Sequence, residues 1–210
     1  MRVLSAEFLR SATDPHAGVG WPEEGPPEVA FIGRSNVGKS TLLSALMGRR
    51  GLVRISSTPG RTRLINFFEV VLADERAPGG RRALRFVDLP GFGYAKVSKR
   101  ERGAWFPFVR EYLGSRSSLR ACVLLVDARR GAEIEELEIE KWVSGRGVEV
   151  VPVVTKSDKL AKHERPPTKE RVARQLGVPA AKVIMVSATD GDGVGELWRR
   201  LAVALARATV

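Results

Sequence analysis

Eight consecutive residues, Gly33-Arg34-Ser35-Asn36-Val37-Gly38-Lys39-Ser40, read G-x-x-x-x-G-K-S, a spacing suited to holding a polyphosphate. Gly33 and Gly38 permit a tight bend in which successive N–H groups converge on phosphate oxygens. The helix that follows adds the positive end of its dipole. Lys39 is placed to reach the β- and γ-phosphates, and the Ser40 hydroxyl to ligate Mg²⁺. A glycine-rich strand-to-helix turn that binds nothing would share some of these letters. What separates the two readings is the company the loop keeps.

Four further groups follow it in order, at strand ends or in loops, where nucleotide sites of open α/β sheets are built. Thr58-Pro59-Gly60-Arg61-Thr62 lies in the loop before the second strand, where Thr62 can cap a Mg²⁺ shell. Asp88-Leu89-Pro90-Gly91 ends an apolar strand; the carboxylate can hold Mg²⁺ through water while the Gly91 N–H meets the γ-phosphate. Thr155-Lys156-Ser157-Asp158 follows another strand. A carboxylate there accepts two hydrogen bonds from guanine's ring N–H and exocyclic amine, a pair of donors adenine lacks. The Lys156 stem can pack on the base, and Ser187-Ala188 offers backbone N–H to the guanine carbonyl. Each short motif is weak alone; the five together define a guanine-nucleotide site.

Apolar strands alternating with helical patterns must position these groups, which argues for an α/β fold with a mostly parallel sheet. Strands are expected near 29–32, 64–72, 83–88, 119–127, 148–154 and 183–186, six in all. Ala77-Pro78-Gly79-Gly80 turns the second back against the third as an antiparallel hairpin. Helices are expected after the phosphate loop, through Tyr112-Leu113, over 133–143, 168–176 and 193–208. Pro107 either begins or kinks the second of these, and the run Ala73 to Arg82 is long for a hairpin connection. Residues 1–27, rich in Pro and Gly at their end, read as an N-terminal arm and linker, and residues 28–210 as the domain. Glu133, Glu135, Glu136, Glu138 and Glu140 read as a solvated helix face. Leu197, Leu201 and Leu205 form a core stripe that makes Trp198 a packing residue.

The 210 residues carry a net charge of +11 with 43% hydrophobic content, enough for one full core without staples. Basic excess points to polyanions such as RNA. No apolar run reaches membrane-span length, and the first ten residues, broken by Glu7 and Arg10, have no signal-peptide core, so a cytoplasmic protein is expected. The single cysteine, Cys122, sits in an apolar run as a core thiol. Two histidines, His16 and His163, are too few and too far apart for a His-ligated metal, and nothing around them recommends a Ser-His-Asp triad.

The runs GRSNVGKS, TPGRT followed by INFF, DLPGFGYAKVSK, TKSDK and VSA resemble the EngB family (also called YihA or YsxC) of bacterial translation-factor-related GTPases, over essentially the whole chain from Glu28. The resemblance implies a Ras-like P-loop fold, a six-stranded sheet with one antiparallel strand and helices on both faces. It also implies Mg²⁺-dependent GTP binding, a role in large ribosomal subunit assembly, and a link to division and septation. Carried over by motif, Ser40 and Thr62 would ligate Mg²⁺. Gly33 to Ser40, Gly60-Arg61-Thr62-Arg63-Leu64, Asp88-Leu89-Pro90-Gly91, Thr155 to Asp158 and Val186-Ser187-Ala188 would contact GTP. Asn36 resembles the asparagine that coordinates K⁺ in cation-activated GTPases.

These residues describe a monomeric switch in which Thr62 and Gly91 are drawn onto the γ-phosphate, with Lys39 on the phosphates. Phe92 stands where Ras-like enzymes place a water-orienting glutamine, so intrinsic hydrolysis is expected to be slow or assisted. Lys96, Lys99, Arg100 and Arg102, with Arg61, Arg63, Arg49, Arg50 and Arg54, make the switch face the expected contact for ribosomal RNA or protein. The rival is an RNA- or ribosome-binding module that uses nucleotide only structurally. An ATP-using kinase or transporter subunit is disfavoured by Asp158.

Overall fold

The computed structural model describes residues 2–12, 20–49, 51–52, 64–93, 107 and 109–206. One seven-stranded sheet organises them, in the order β1-β3-β4-β2-β5-β6-β7. The strands are β1 (Arg2–Ala12), β2 (Glu28–Gly33), β3 (Ile65–Ala73), β4 (Arg81–Asp88), β5 (Leu119–Asp127), β6 (Glu149–Thr155) and β7 (Ile184–Met185). Only β3 opposes the rest: it is antiparallel to both β1 and β4, and every other pairing is parallel. The expectation of six strands is short by one, because the N-terminal stretch runs as β1 along the sheet edge. Its charged and serine positions hide that, since an edge strand buries little: of its eleven residues only Ala6 and Ala12 are buried. Two bulges, between Val3 and Ser5 and between Phe8 and Arg10, interrupt its pairing with β3, a common way to blunt an exposed edge.

β2 is buried at every position, as a central parallel strand covered on both faces must be. Its alternate residues feed two cores. Val29 and Phe31 join Val123 and Leu125 beneath α1 (Lys39–Met47) and α5 (Val194–Ala206). Ala30 and Ile32 join Cys122, Leu124 and Val126 on the other face. That second core is closed by α2 (109–115), α3 (Ile134–Ser144) and α4 (Arg165–Leu176). Cys122 is fully buried, and burial pushes its thiol up to about 12, as a core thiol should behave. Trp198 is 6% exposed and packs on Phe86 with ring centres 5.6 Å apart.

The hairpin runs as expected, Asn66 opposite Asp88 through Ala73 opposite Arg81. Its connection is shorter than the sequence suggested, because both strands extend into the run, and the chain reverses at Pro78-Gly79-Gly80 with both glycines in left-handed backbone at φ 69°. Pro107 is the first described residue of the helical stretch that continues over 109–115. Two prolines, Pro166 and Pro167, sit in the first turn of α4, which begins earlier than the expected Thr168.

At the end of the sheet away from the phosphate loop, the first residue of β2 anchors its surroundings. Glu28 is fully buried. Its carboxylate accepts from Arg85 Nη1 at 3.1 Å, Arg116 Nε at 3.1 Å and Tyr112 Oη at 2.8 Å. Arg85 and Arg116 also donate to the carbonyls of Glu23 and Pro22. One buried charge thereby fixes the linker, β4 and the end of α2 around the strand that carries the phosphate loop.

Candidate functional site

The chain leaves β2 at Gly33 on one side of the sheet's switch point: β4 lies to one side of β2 and β5 to the other. Ligands of open α/β sheets bind in that crevice. Gly33 cannot carry a side chain, since a Cβ would lie 2.9 Å from Leu125 Cβ and from the Leu125 carbonyl oxygen, and 3.0 Å from Val37. Asn36 and Gly38 both adopt left-handed backbone, at φ 62° and 101°, and wind the loop into the first turn of α1. That turn has no side-chain cap and no acidic residue, so its N–H groups are left to an anion.

Lys39 Nζ contacts the Asp88 carboxylate at the end of β4, and both side chains are largely buried. The strap after Asp88 lies along the phosphate loop. Leu89 N donates to Phe31 O at 3.0 Å, Phe92 N to Gly33 O at 3.2 Å, and Ser35 N to Phe92 O at 2.8 Å. Gly91 is thus held against Ser35, where a Cβ would come within 3.2 Å of the serine nitrogen and hydroxyl. The buried Ser35 hydroxyl itself meets no partner among the described residues. Ser40 and Asp88 supply the hard oxygen donors that Mg²⁺ takes alongside phosphate oxygens, so the residues present fit that ion.

On the base side, Thr155 is a brace: its hydroxyl donates to Val37 O at 2.6 Å and lies 3.2 Å from Val126 O. Lys156, left-handed at φ 60°, lays its stem toward the phosphate loop. Its Nζ donates to Asn36 O at 2.6 Å and to Asp127 Oδ2 at 2.8 Å. Asp158 Oδ1 accepts from Ser187 Oγ at 3.1 Å and Oδ2 pairs with Lys159 at 3.2 Å. Desolvation works against its charge, yet Lys159 and Ser187 hold the carboxyl below its ordinary value. It is therefore an aimed, ionised acceptor with lone pairs remaining on each oxygen. Ser187 is fully buried, and Val186 and Ser157 are joined through Ser157 N to Val186 O at 3.2 Å.

The structure thus brings together the phosphate loop, Asp88 to Gly91, Thr155 to Asp158 and Val186 to Ala188. Gly60, Arg61, Thr62 and Arg63 lie outside the described residues, as do Arg50, Arg54, Lys96, Lys99, Arg100 and Arg102; Leu64 is described only at the entry to β3.

Two features escape the sequence reading. Asp127, the last residue of β5, is 8% exposed and accepts from Lys156 Nζ and from Arg129 N, Nε and Nη2. Burial opposes its charge, but Arg129 and Lys156 hold it far below the usual carboxylate range. The signal that could have found it is the one that found Asp88, a carboxylate closing an apolar strand. The acidic start of α3 also needs correction. Glu136 is fully buried, its carboxylate accepting from Glu133 N at 3.0 Å in a capping box, and burial raises its carboxyl. Glu133 and Glu135 pair with Arg34 at 2.8 and 3.3 Å. These three are not a freely solvated face, because the helix begins beside the phosphate loop.

Comparisons with known proteins agree with this geometry. A family described as "50S ribosome-binding GTPase" matches residues 28–156. The probable GTP-binding protein EngB of Anaeromyxobacter dehalogenans is 45% identical over 96% of this chain and 92% of its own length. That of Syntrophotalea carbinolica is 44% identical over 98% and 93%. Among solved structures, a probable GTP-binding protein engB aligns with TM-score 0.63 at 22% identity, covering 85% of this chain and 98% of that one. Era in complex with MgGDPNP and a stretch of 16S ribosomal RNA aligns at 0.65 and 24%, covering 89% and 59%. Fold and site define a P-loop GTPase, an α/β Ras-like domain that binds guanine nucleotide and hydrolyses GTP. Within that class, the chain belongs to the EngB family of GTP-binding proteins.

Proposed function

We propose that this GTPase is a slow, Mg²⁺-dependent switch of the cytoplasm, acting as a monomer in assembly of the large ribosomal subunit and needed for normal division and septation. The observation that carries the switch is the strap Leu89–Phe92, hydrogen-bonded to the phosphate loop on one side and continuous with the Asp88 carboxylate on the other. A γ-phosphate bound over Lys39 would meet the Gly91 N–H there, and its departure would release it. In this reading residues 33–40, 60–64, 88–91, 155–158 and 186–188 contact the nucleotide. Mg²⁺, when bound, would be held by Ser40 and Thr62 directly and by Asp88 through water, and would neutralise phosphate charge. Residues 28–210 would constitute the GTPase domain, with β1 of the N-terminal arm adding an edge strand to its sheet.

Slow turnover follows from Phe92, whose ring cannot orient water as a glutamine does. Asn36, exposed at the lip of the loop, would take K⁺ in place of an arginine finger. The ribosomal reading is supported by the description of the matching family and by a net charge of +11.

One experiment tests these points together: phosphate release with and without large subunits, in potassium and in sodium at equal ionic strength. Faster release with subunits, and in potassium, is expected. No response to subunits, with GTP and GDP forms co-sedimenting equally, would refute a ribosomal switch and favour a module that holds nucleotide structurally. Equal rates in the two salts would refute the role given to Asn36.

A further inference from the structure

Arg34 occupies the first variable position of the phosphate loop, yet its guanidinium turns away toward α3. Nη1 lies 2.8 Å from Glu133 Oε2, 3.3 Å from Glu135 Oε2 and 3.7 Å from Glu136 Oε2, with only 14% of the side chain exposed. On the way it passes the end of the strap Leu89–Phe92. Its Cζ sits 5.8 Å from the Phe92 ring centre. It also fills the space where a Gly93 side chain would be, 3.0 to 3.2 Å from that Cβ position, and Gly93 is left-handed at φ 75°. Main-chain pairing of Arg34 with Phe92 completes the clamp. One residue therefore touches three elements: the loop that holds phosphate, the strap adjoining the γ-phosphate position, and the acidic start of a surface helix.

We propose that Arg34 is a positioning residue for GTP hydrolysis, fixing Phe92 and Gly93 against the phosphate loop and linking that position to Glu133 and Glu135 of α3. The reasoning is geometric. Gly91 precedes Phe92 by one residue, so its N–H is only as well placed as the segment Arg34 clamps. A freed segment must be re-ordered before each turnover, which lowers the fraction of complexes ready to react. GDP has no γ-phosphate and does not draw on the strap, so its binding is spared. Coupling through Arg34 also gives a molecule docking on the start of α3 a direct route to the reaction centre. This inference rests on the GTPase activity of the chain, not on its ribosomal role.

The test measures intrinsic single-turnover hydrolysis without subunits, GDP affinity, and amide hydrogen exchange. The variants are Arg34→Ala, the pair Glu133→Gln/Glu135→Gln, and all three changes combined. Hydrolysis is expected to fall about tenfold in the first two, with GDP affinity in the glutamine pair, which lies outside the nucleotide-contacting residues, within about twofold of the parent, the signature of an interaction made on the way to the transition state. The combined variant should be no slower than Arg34→Ala, because one clamp is lost only once. Exchange at the Phe92 and Ser35 amides should quicken in each. Arg34→Lys keeps the charge but not the flat fork, and should recover part of the rate. Should Arg34→Ala fold poorly, the glutamine pair, which leaves the phosphate loop intact, decides the matter. Parent-like hydrolysis in that pair, loss of GDP affinity in parallel with rate, or multiplying losses in the combined variant would each overturn the proposal.

Discussion

Replacing Asp127 with asparagine keeps the shape of the side chain and removes its charge. The carboxylate lies 2.8 Å from Lys156 Nζ and 3.1 Å from Arg129 Nη2. Coulomb's law at 2.8 Å with an effective dielectric of about 20 gives roughly 6 kcal/mol of gross attraction to the lysine. Desolvation offsets most of it, since Asp127 is only 8% exposed and the lysine side chain 28%; a charged hydrogen bond of this kind contributes about 1.5–3 kcal/mol net. Half or more of that should appear as lost nucleotide affinity, because Lys156 Nζ is what ties the base side to Asn36 of the phosphate loop. GDP binding should therefore weaken about tenfold, or ~1.4 kcal/mol. Preference for guanine over xanthine nucleotide should be unchanged, because Asp158 is untouched.

A pH profile adds an independent reading. The carboxyl of Asp127 is held far below its unfolded value, with Arg129 and Lys156 overcoming the effect of burial. A depressed carboxyl contributes stability that is fully present above the unfolded value, about 3.9, and is lost as pH falls below it. Asp127→Asn should accordingly be less stable than the parent near neutrality, and the difference should shrink as pH falls below about 4. Isothermal titration with GDP and urea unfolding across pH check both parts. Parent-like GDP affinity together with a pH-independent stability difference would show that Asp127 does not hold Lys156.

Asp158→Asn exchanges a double acceptor for one acceptor and one donor, so GTP binding should weaken by about 1.5–3 kcal/mol while xanthine nucleotide gains on it; competition titrations measure the ratio, and an unchanged ratio would mean the base is read elsewhere. Glu28→Gln leaves Arg85 and Arg116 buried with their shared charge removed. It should cost about 3–5 kcal/mol, seen as a fall of roughly 10 °C in Tm, whereas Tyr112→Phe, which removes one donor to the same carboxylate, should cost only about 1 kcal/mol.

The sequence by itself determined the local chemistry. Gly33 and Gly38 at their spacing, an apolar strand before them and Lys39-Ser40 after them settle a phosphate loop, because backbone sterics and helix polarity act over a few residues. Asp88 was legible as a carboxylate closing a run of buried apolar residues, and Asp158 as an acid three residues beyond the end of another strand. The hairpin of β3 and β4 was written in Pro78-Gly79-Gly80. Tertiary structure decided what depends on approach across the chain. The first strand buries only Ala6 and Ala12, too little for alternation to reveal it, and it becomes a strand because β3 offers it an edge. Asp127 meets Lys156 across 29 positions and Arg34 meets Glu133 across 99, pairings that no periodicity encodes. Glu136 shares its charge and helical context with Glu138, yet one is buried and the other exposed. The difference is the side of α3 that turns toward the phosphate loop, and only the packing of that helix on the sheet chooses it.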